Sequence, residues 1–159
     1  MQLVRSLGEQ FARLHGRSVA LVRAVAPDKL YWQPPRAGAQ VLPAYSCGEH
    51  VLRGAAAVEQ TFGGITVNLW DDPFEWTLPE ALPTTAHVVE YLEEAEATRR
   101  RAFSLFHADA DLSKEIAAPS GEMRTLCSLI SETLVRAAHH QGCAFATFRL
   151  FSDERLTVL

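Results

Sequence analysis

The sequence predicts an all-α protein, a four-helix bundle whose helices are joined by long packed connectors. Four segments repeat apolar residues at three- and four-residue steps, the spacing that paints one face of a helix. No strand-like alternation persists between them. Prolines and glycines gather in the intervening stretches, where they punctuate the helices.

The first helix carries Leu3, Leu7, Phe11, Leu14, Ser18, Leu21 and Val25 on one face and ends before Pro27, which removes a backbone donor and clashes with the preceding turn. The second runs from Ser46, a good N-cap, to Phe62, with Cys47, Val51, Ala55, Val58 and Phe62 as its stripe. Gly63-Gly64 is expected to stop it. The run Ala55 to Ala57 predicts close approach of a neighbouring helix.

The third starts after Pro83, with Thr84 or Thr85 as cap, and reaches His107. Val88, Tyr91, Leu92, Ala95, Ala102, Leu105 and Phe106 are expected to face inward. Glutamates fill its first half and arginines its second, an order that complements the helix dipole. Glu96 and Arg100 form a favourable i,i+4 pair. Arg99-Arg100-Arg101 reads as a solvated face. The fourth helix runs from Thr125 to Phe151, with Leu126, Ile130, Leu134, Ala137, Gln141, Ala144, Phe145 and Phe148 on one face. Gly142 lies within it at a cost of ~1 kcal/mol relative to alanine, so a packing reason is expected.

The connectors Val25 to Ser46 and Gly64 to Thr84 exceed the ~12–15 residues usual for structureless loops. They hold Tyr31, Trp32, Trp70 and Trp76 and most of the prolines, so they are expected to pack on the bundle. The second is long enough for a crossover that leaves helices two and three parallel.

The chain of 159 residues, 48% hydrophobic and 21% charged, fits a single domain over 1–159. A net charge of −4 and a pI near 5.8 argue against a nucleic-acid partner. Cys47, Cys127 and Cys143 are odd in number and widely spaced, against a disulfide framework. Met1 to Val4 lack the pattern of a signal peptide, and no apolar run approaches the ~18 residues of a membrane span. A soluble, cytoplasmic protein with no membrane partner is expected.

Helical geometry then sorts the polar residues. On the fourth helix the apolar face centres near Ala137 and Phe148, and His140 falls roughly 70° from it, at the edge of the core. His139 falls on the solvent side. Thr133, Arg136 and His140 form a flanking stripe that can line a pocket between helices. On the second helix His50 lies about 100° from the apolar centre and Arg53 nearly opposite it. Cys47-x-x-His50 and His140-x-x-Cys143 are two pairs that, brought together, would make a tetrahedral zinc site. A simpler site uses His50, His140 and one other group. The competing structural reading is that edge histidines bond a neighbour and buried cysteines fill the core. His15, His87 and His107 show no partner pattern; Glu49 and Glu59 could act as acid or base, against the reading that they are ordinary exposed helix carboxylates.

The stretch Thr125 to Leu150, with Arg136-Ala137-Ala138-His139-His140-Gln141-Gly142 at its centre, resembles the last helix of the DinB-like family of bacterial four-helix proteins. There a segment of the type His-x-x-His-His-x-Gly precedes an apolar run ending in Leu-Arg. Leu30-Tyr31-Trp32-Gln33-Pro34 is similar to the family's Leu-x-Trp-x-Pro loop. Tyr45-Ser46-Cys47-Gly48-Glu49 is similar to the start of its second helix, and the linker Leu112 to Thr125 with Gly121 also fits. The resemblance implies an up-down-down-up bundle, often a homodimer. It also implies a divalent metal held by three histidines, one from helix two and two from helix four. Relatives include thiol-dependent transferases and proteins resembling metal-dependent hydrolases.

The chain departs from that pattern at the metal positions. Arg136 stands where the first histidine of the fourth helix belongs, His140 matches the second, and Arg53 stands at the helix-two position. A guanidinium offers no lone pair to a metal. Three functional readings follow. One is a degenerate metal site that binds a small anionic ligand through Arg53, Arg136 and His140. Another is a zinc- or nickel-dependent transferase or hydrolase with a shifted site at His50 and His140. The third is a non-enzymatic structural homodimer packed through Trp70 and Trp76.

Overall fold

A computed structural model of the protein describes residues 1–34, 44–73 and 77–156. The described residues are mostly helical, with four α-helices among them: α1 Gln2–Ala24, α2 Cys47–Val67, α3 Thr85–Phe103 and α4 Leu126–Phe148. Between α3 and α4 lies a small antiparallel hairpin, β1 Glu115–Ala117 and β2 Met123–Thr125, with Ile116 opposite Arg124. The periodicity did not reveal it, because three residues per strand are too few for alternation to register. Gly121, at φ 82°, supplies the left-handed residue its turn needs. No helix among the described residues is long and apolar enough to cross a membrane.

The helix starts are local chemistry. At α2, Ser46 Oγ accepts from Glu49 N (3.2 Å) and Glu49 Oε2 accepts from Ser46 N (2.7 Å), a reciprocal capping box. Thr84 and Thr125 cap α3 and α4 by accepting from His87 N and Ser128 N. The start of α1 is capped from afar. Asp109 accepts from the backbone N–H groups of Gln2 (2.8 Å) and Val4 (2.9 Å). The Val4 bond above all pulls its carboxyl down to about 2.

Three helix ends differ from expectation; the smallest difference is in α4, which stops at Phe148 rather than Phe151. Helix α2 does not stop at Gly63-Gly64; it runs to Val67, where Asn68 takes the left-handed conformation at φ 56°. Gly64 instead marks a close approach, since a Cβ there would lie 2.3 Å from the Trp70 ring. Helix α3 ends at Phe103 rather than near His107. Asp111 Oδ2 accepts from His107 N and Ala108 N and so draws the chain into a separate turn. Leu105 is consequently exposed, while Phe106 stays buried. Leu3, expected inward, is also exposed.

Helix α2 packs against α3 and α4, and α1 packs against the same two. Two apolar clusters result. One holds Leu21, Val22, Leu30, Leu52, Val88, Leu92 and Phe148. The other holds Phe11, Phe62, Ala102, Phe106, Leu112 and Ile130. Arg99 corrects the reading of its basic run: it is buried with Glu96, and only its neighbours face solvent. The connectors pack on the helices. Trp32 meets Phe151 edge to face at 5.5 Å, and the Tyr31 hydroxyl donates to the Leu82 carbonyl. Trp70 is packed on its own α2 and donates from Nε1 to Asn68 Oδ1; Trp76 lies outside the described residues.

Ala55, Ala56 and Ala57 are buried, and a Cβ on Gly54 would come within 3.5 Å of the Ala137 carbonyl and 3.6 Å of His140 Cβ. Helices α2 and α4 therefore meet closely at this level. Gly142 has no such reason to be glycine: it is exposed, and a Cβ there meets nothing within 4 Å. Gly142→Ala is expected to stabilise the protein by ~1 kcal/mol in urea denaturation, because alanine orders at lower entropic cost in a helix. A loss of stability would contradict the open environment described.

Candidate functional site

The seam between α2 and α4 gathers the chemistry. His50 leaves α2 one turn after the capping box, and His140 leaves α4 opposite it. Their Nδ1 atoms lie 3.4 Å apart, with ring centroids at 5.7 Å. Both rings are partly buried. Tyr45 meets the His50 ring edge to face at 5.5 Å and lies under the Arg53 guanidinium, whose Cζ is 4.0 Å from the tyrosine ring centre. The same tyrosine thus touches both Arg53 and His50. Tyr45 is the site residue that helical periodicity missed, because it precedes the helix. Its sequence signal was its place directly before the Ser46 cap.

Electrostatics keep the pair neutral. Burial lowers the pKa of His140 most, and His50, His139, Arg53 and Arg136 each add to the effect, bringing it to about 4. Burial also lowers His50; the Glu49 carboxylate opposes that shift, while Arg53 and His139 reinforce it. Between two neutral imidazoles one Nδ1–H donates and the other Nδ1 accepts. The unfolded chain binds a proton at His140 more readily than the folded one. The native contribution is therefore whole above the ordinary imidazole value of 6.5 and is lost as pH falls toward 4. In an NMR titration the His140 ring is expected to change charge with a midpoint at about 4; a midpoint at the ordinary value would contradict this environment.

Arg136 lies one turn before His140, exposed, in a groove of ≈ 210 Å³ on the same seam, beside Thr133, Gln60 and Trp70. Thr133, expected to line the pocket, is largely buried and crosses the seam, bonding Thr61 Oγ1 at 2.7 Å and the Leu129 carbonyl at 2.9 Å. His139 faces solvent as periodicity predicted and contacts Cys143 Sγ at 3.8 Å. Glu49 is committed to its cap and to Gln33, and Glu59 accepts from the Tyr91 hydroxyl.

The residues fit a metal centre poorly. A separation of 3.4 Å between His50 Nδ1 and His140 Nδ1 matches roughly one edge of a tetrahedron with ~2.1 Å bonds to zinc. The match ends with that edge. Among the described residues no group of three or more His, Cys, Asp or Glu side chains is placed to hold a metal ion. The two cysteine–histidine pairs do not converge. Cys47 is wholly buried in the core, its thiol pushed up to about 12 by burial, and Cys143 turns toward His139. A three-residue step on a helix separates side chains by roughly 60°, so the cysteine can face the core while its histidine faces the seam. Arg53 and Arg136 add positive potential, which repels a cation and attracts an anion.

No protein-family profile, curated protein or solved structure matches this chain.

Proposed function

We propose that the protein is a DinB-like four-helix bundle of up-down-down-up path whose α2–α4 seam binds a small carboxylate, sulfate or phosphate where its relatives hold a metal. The fold part is supported by the order of the family-like motifs along the chain and by the helix neighbours. Helices α2 and α3 pack side by side across a long connector, and the starts of α2 and α3 share one apolar cluster with the ends of α1 and α4, the arrangement of a crossover path. A homodimer belongs to the same proposal, supported by the exposed apolar side chains Val67 and Leu69 beyond the core.

One observation carries the functional part: a neutral His50–His140 pair in hydrogen-bond contact within the field of Arg53 and Arg136. A guanidinium presents parallel donors to an oxyanion. A neutral imidazole adds one N–H donor, and on protonation both ring nitrogens donate. A bound anion stabilises the imidazolium, so binding draws a proton onto the pair. By linkage the affinity rises as pH falls. Calorimetric titration with acetate and with sulfate at pH 8 and pH 6, at low salt, tests this, because neither ligand changes charge in that range. One saturable site, tighter at pH 6, is expected. The absence of saturable binding by either anion would overturn the reading.

The shifted-metal reading has one observation in its favour, the 3.4 Å separation of the two Nδ1 atoms. It predicts stoichiometric zinc or nickel that is lost on His140→Ala.

A further inference from the structure

Behind the seam, between the two apolar clusters, lies a cavity of ≈ 40 Å³. Its walls include Phe11, Leu14, Ala55, Val58 and Leu92, drawn from three helices. On the seam side it is lined by His50, Gly54 and Ala137. The ring that pairs with His140 is therefore also a wall of the cavity. The polar groups along the cavity are already engaged. Gln141 Nε2 donates to the Leu14 carbonyl (2.6 Å) and to Ser18 Oγ (2.9 Å), and His15 Nε2 stands 3.5 Å from Glu93. Glu96 and Arg99 close the far end as an ion pair.

We propose that the seam's ligand is a short aliphatic monocarboxylate, its carboxylate on the Arg53–His50–His140 side and its tail past His50 in the cavity. This rests on the anion reading above and names its ligand class. The orientation follows from charge. At the α3 wall the Arg99 guanidinium is already engaged by the Glu96 carboxylate, so a second carboxylate there would meet the Glu96 charge, whereas the seam presents arginines and imidazole donors. The mid-cavity is apolar with its polar atoms engaged, so it favours methylenes over water. The size follows from volume. At 10–15 Å³ per water-sized group, the space holds about three such groups, and a methylene is of similar size. Butyrate matches this length. Succinate has the same number of carbons but would place its second carboxylate toward Glu96.

The test is the relative affinity of acetate, propionate, butyrate, hexanoate and succinate for the full chain, measured by calorimetry at one pH. Affinity is expected to rise about fourfold per methylene, hence about fifteenfold from acetate to butyrate. Hexanoate should gain nothing further, and succinate should bind no better than acetate. Two cavity-filling variants on different helices, Ala55→Val on α2 and Ala95→Val on α3, should each bring the butyrate-to-acetate ratio within about twofold, as the methylenes lose their buried site. Cooperative melting of at least one of them secures that comparison. Equal affinity across the series in the natural protein, with saturable binding retained, would overturn the tail and leave the anion site standing. No binding of any member would overturn both.

Discussion

Arg99→Leu is expected to destabilise the protein by about 3–5 kcal/mol at neutral pH, the range found when one partner of a buried ion pair is removed. Glu96 and Arg99 are only 4% and 6% exposed. Arg99 grips both carboxylate oxygens, Nε to Oε2 at 2.8 Å and Nη2 to Oε1 at 2.6 Å. Arg100 also reaches Oε1, at 2.8 Å, but from a side chain that is 69% exposed, and it cannot replace the buried partner. Burial alone would raise the Glu96 pKa; the bonds from Arg99 and Arg100 more than offset it and hold the carboxyl below its ordinary value. The pair's contribution is therefore whole above the unfolded carboxylate range and is lost as pH falls through the depressed folded value. In the variant that balance reverses, and Glu96 protonates more readily than in the unfolded chain. The stability gap between the two proteins should be widest at pH 7 and narrow in acid. Replacing Glu96 and Arg99 together by leucine should recover much of the loss, since a well-packed apolar pair avoids both desolvation costs. Urea denaturation from pH 7 to pH 4 measures all three proteins. A loss below ~1 kcal/mol in Arg99→Leu, as for a surface pair, would contradict the buried placement.

Arg53→Gln is expected to weaken acetate and sulfate binding by about tenfold to a hundredfold, the worth of a hydrogen bond to a charged group. The guanidinium lies on the Tyr45 ring and its charge acts on both histidines, so in this reading it supplies the cationic field and a planar donor group. Arg53→Lys should lose less than Arg53→Gln, because the charge survives while the planar fork and its stacking do not. The folded state should tolerate both changes, since Arg53 is only partly buried and stands outside the two apolar clusters. Unchanged affinity in Arg53→Gln, with the fold intact, would remove Arg53 from the site.

The sequence reveals the features that are local. Ser46 with Glu49, Thr84 and Thr125 start their helices by contacts within three residues, so their spacing alone locates the starts. The orientation of His50 and His140 toward one seam, and of His139 away from it, follows from helical angles. Features created by distant packing leave no such trace. Gly64 reads as a stop signal, yet it makes room for Trp70. Glu96 reads as one half of a surface pair with Arg100. That bond exists, but the carboxylate is buried and its stronger partner is Arg99, which reads as part of a solvated basic run. Tyr45 lies before α2 and outside any periodic face, so its role beneath Arg53 emerges only in three dimensions. The site is therefore legible as a pair of facing histidines, and its cationic character depends on the Tyr45 contact that holds Arg53.

The most direct test follows the His140 ring by NMR while the protein is titrated with sulfate and, separately, with zinc and nickel at neutral pH. Sulfate is expected to saturate one site and to raise the His140 titration midpoint above its free value of about 4. Neither metal is expected to bind stoichiometrically. Stoichiometric zinc or nickel on His140, abolished by His140→Ala, together with a midpoint that sulfate leaves unmoved, would contradict the anion site and favour the metal.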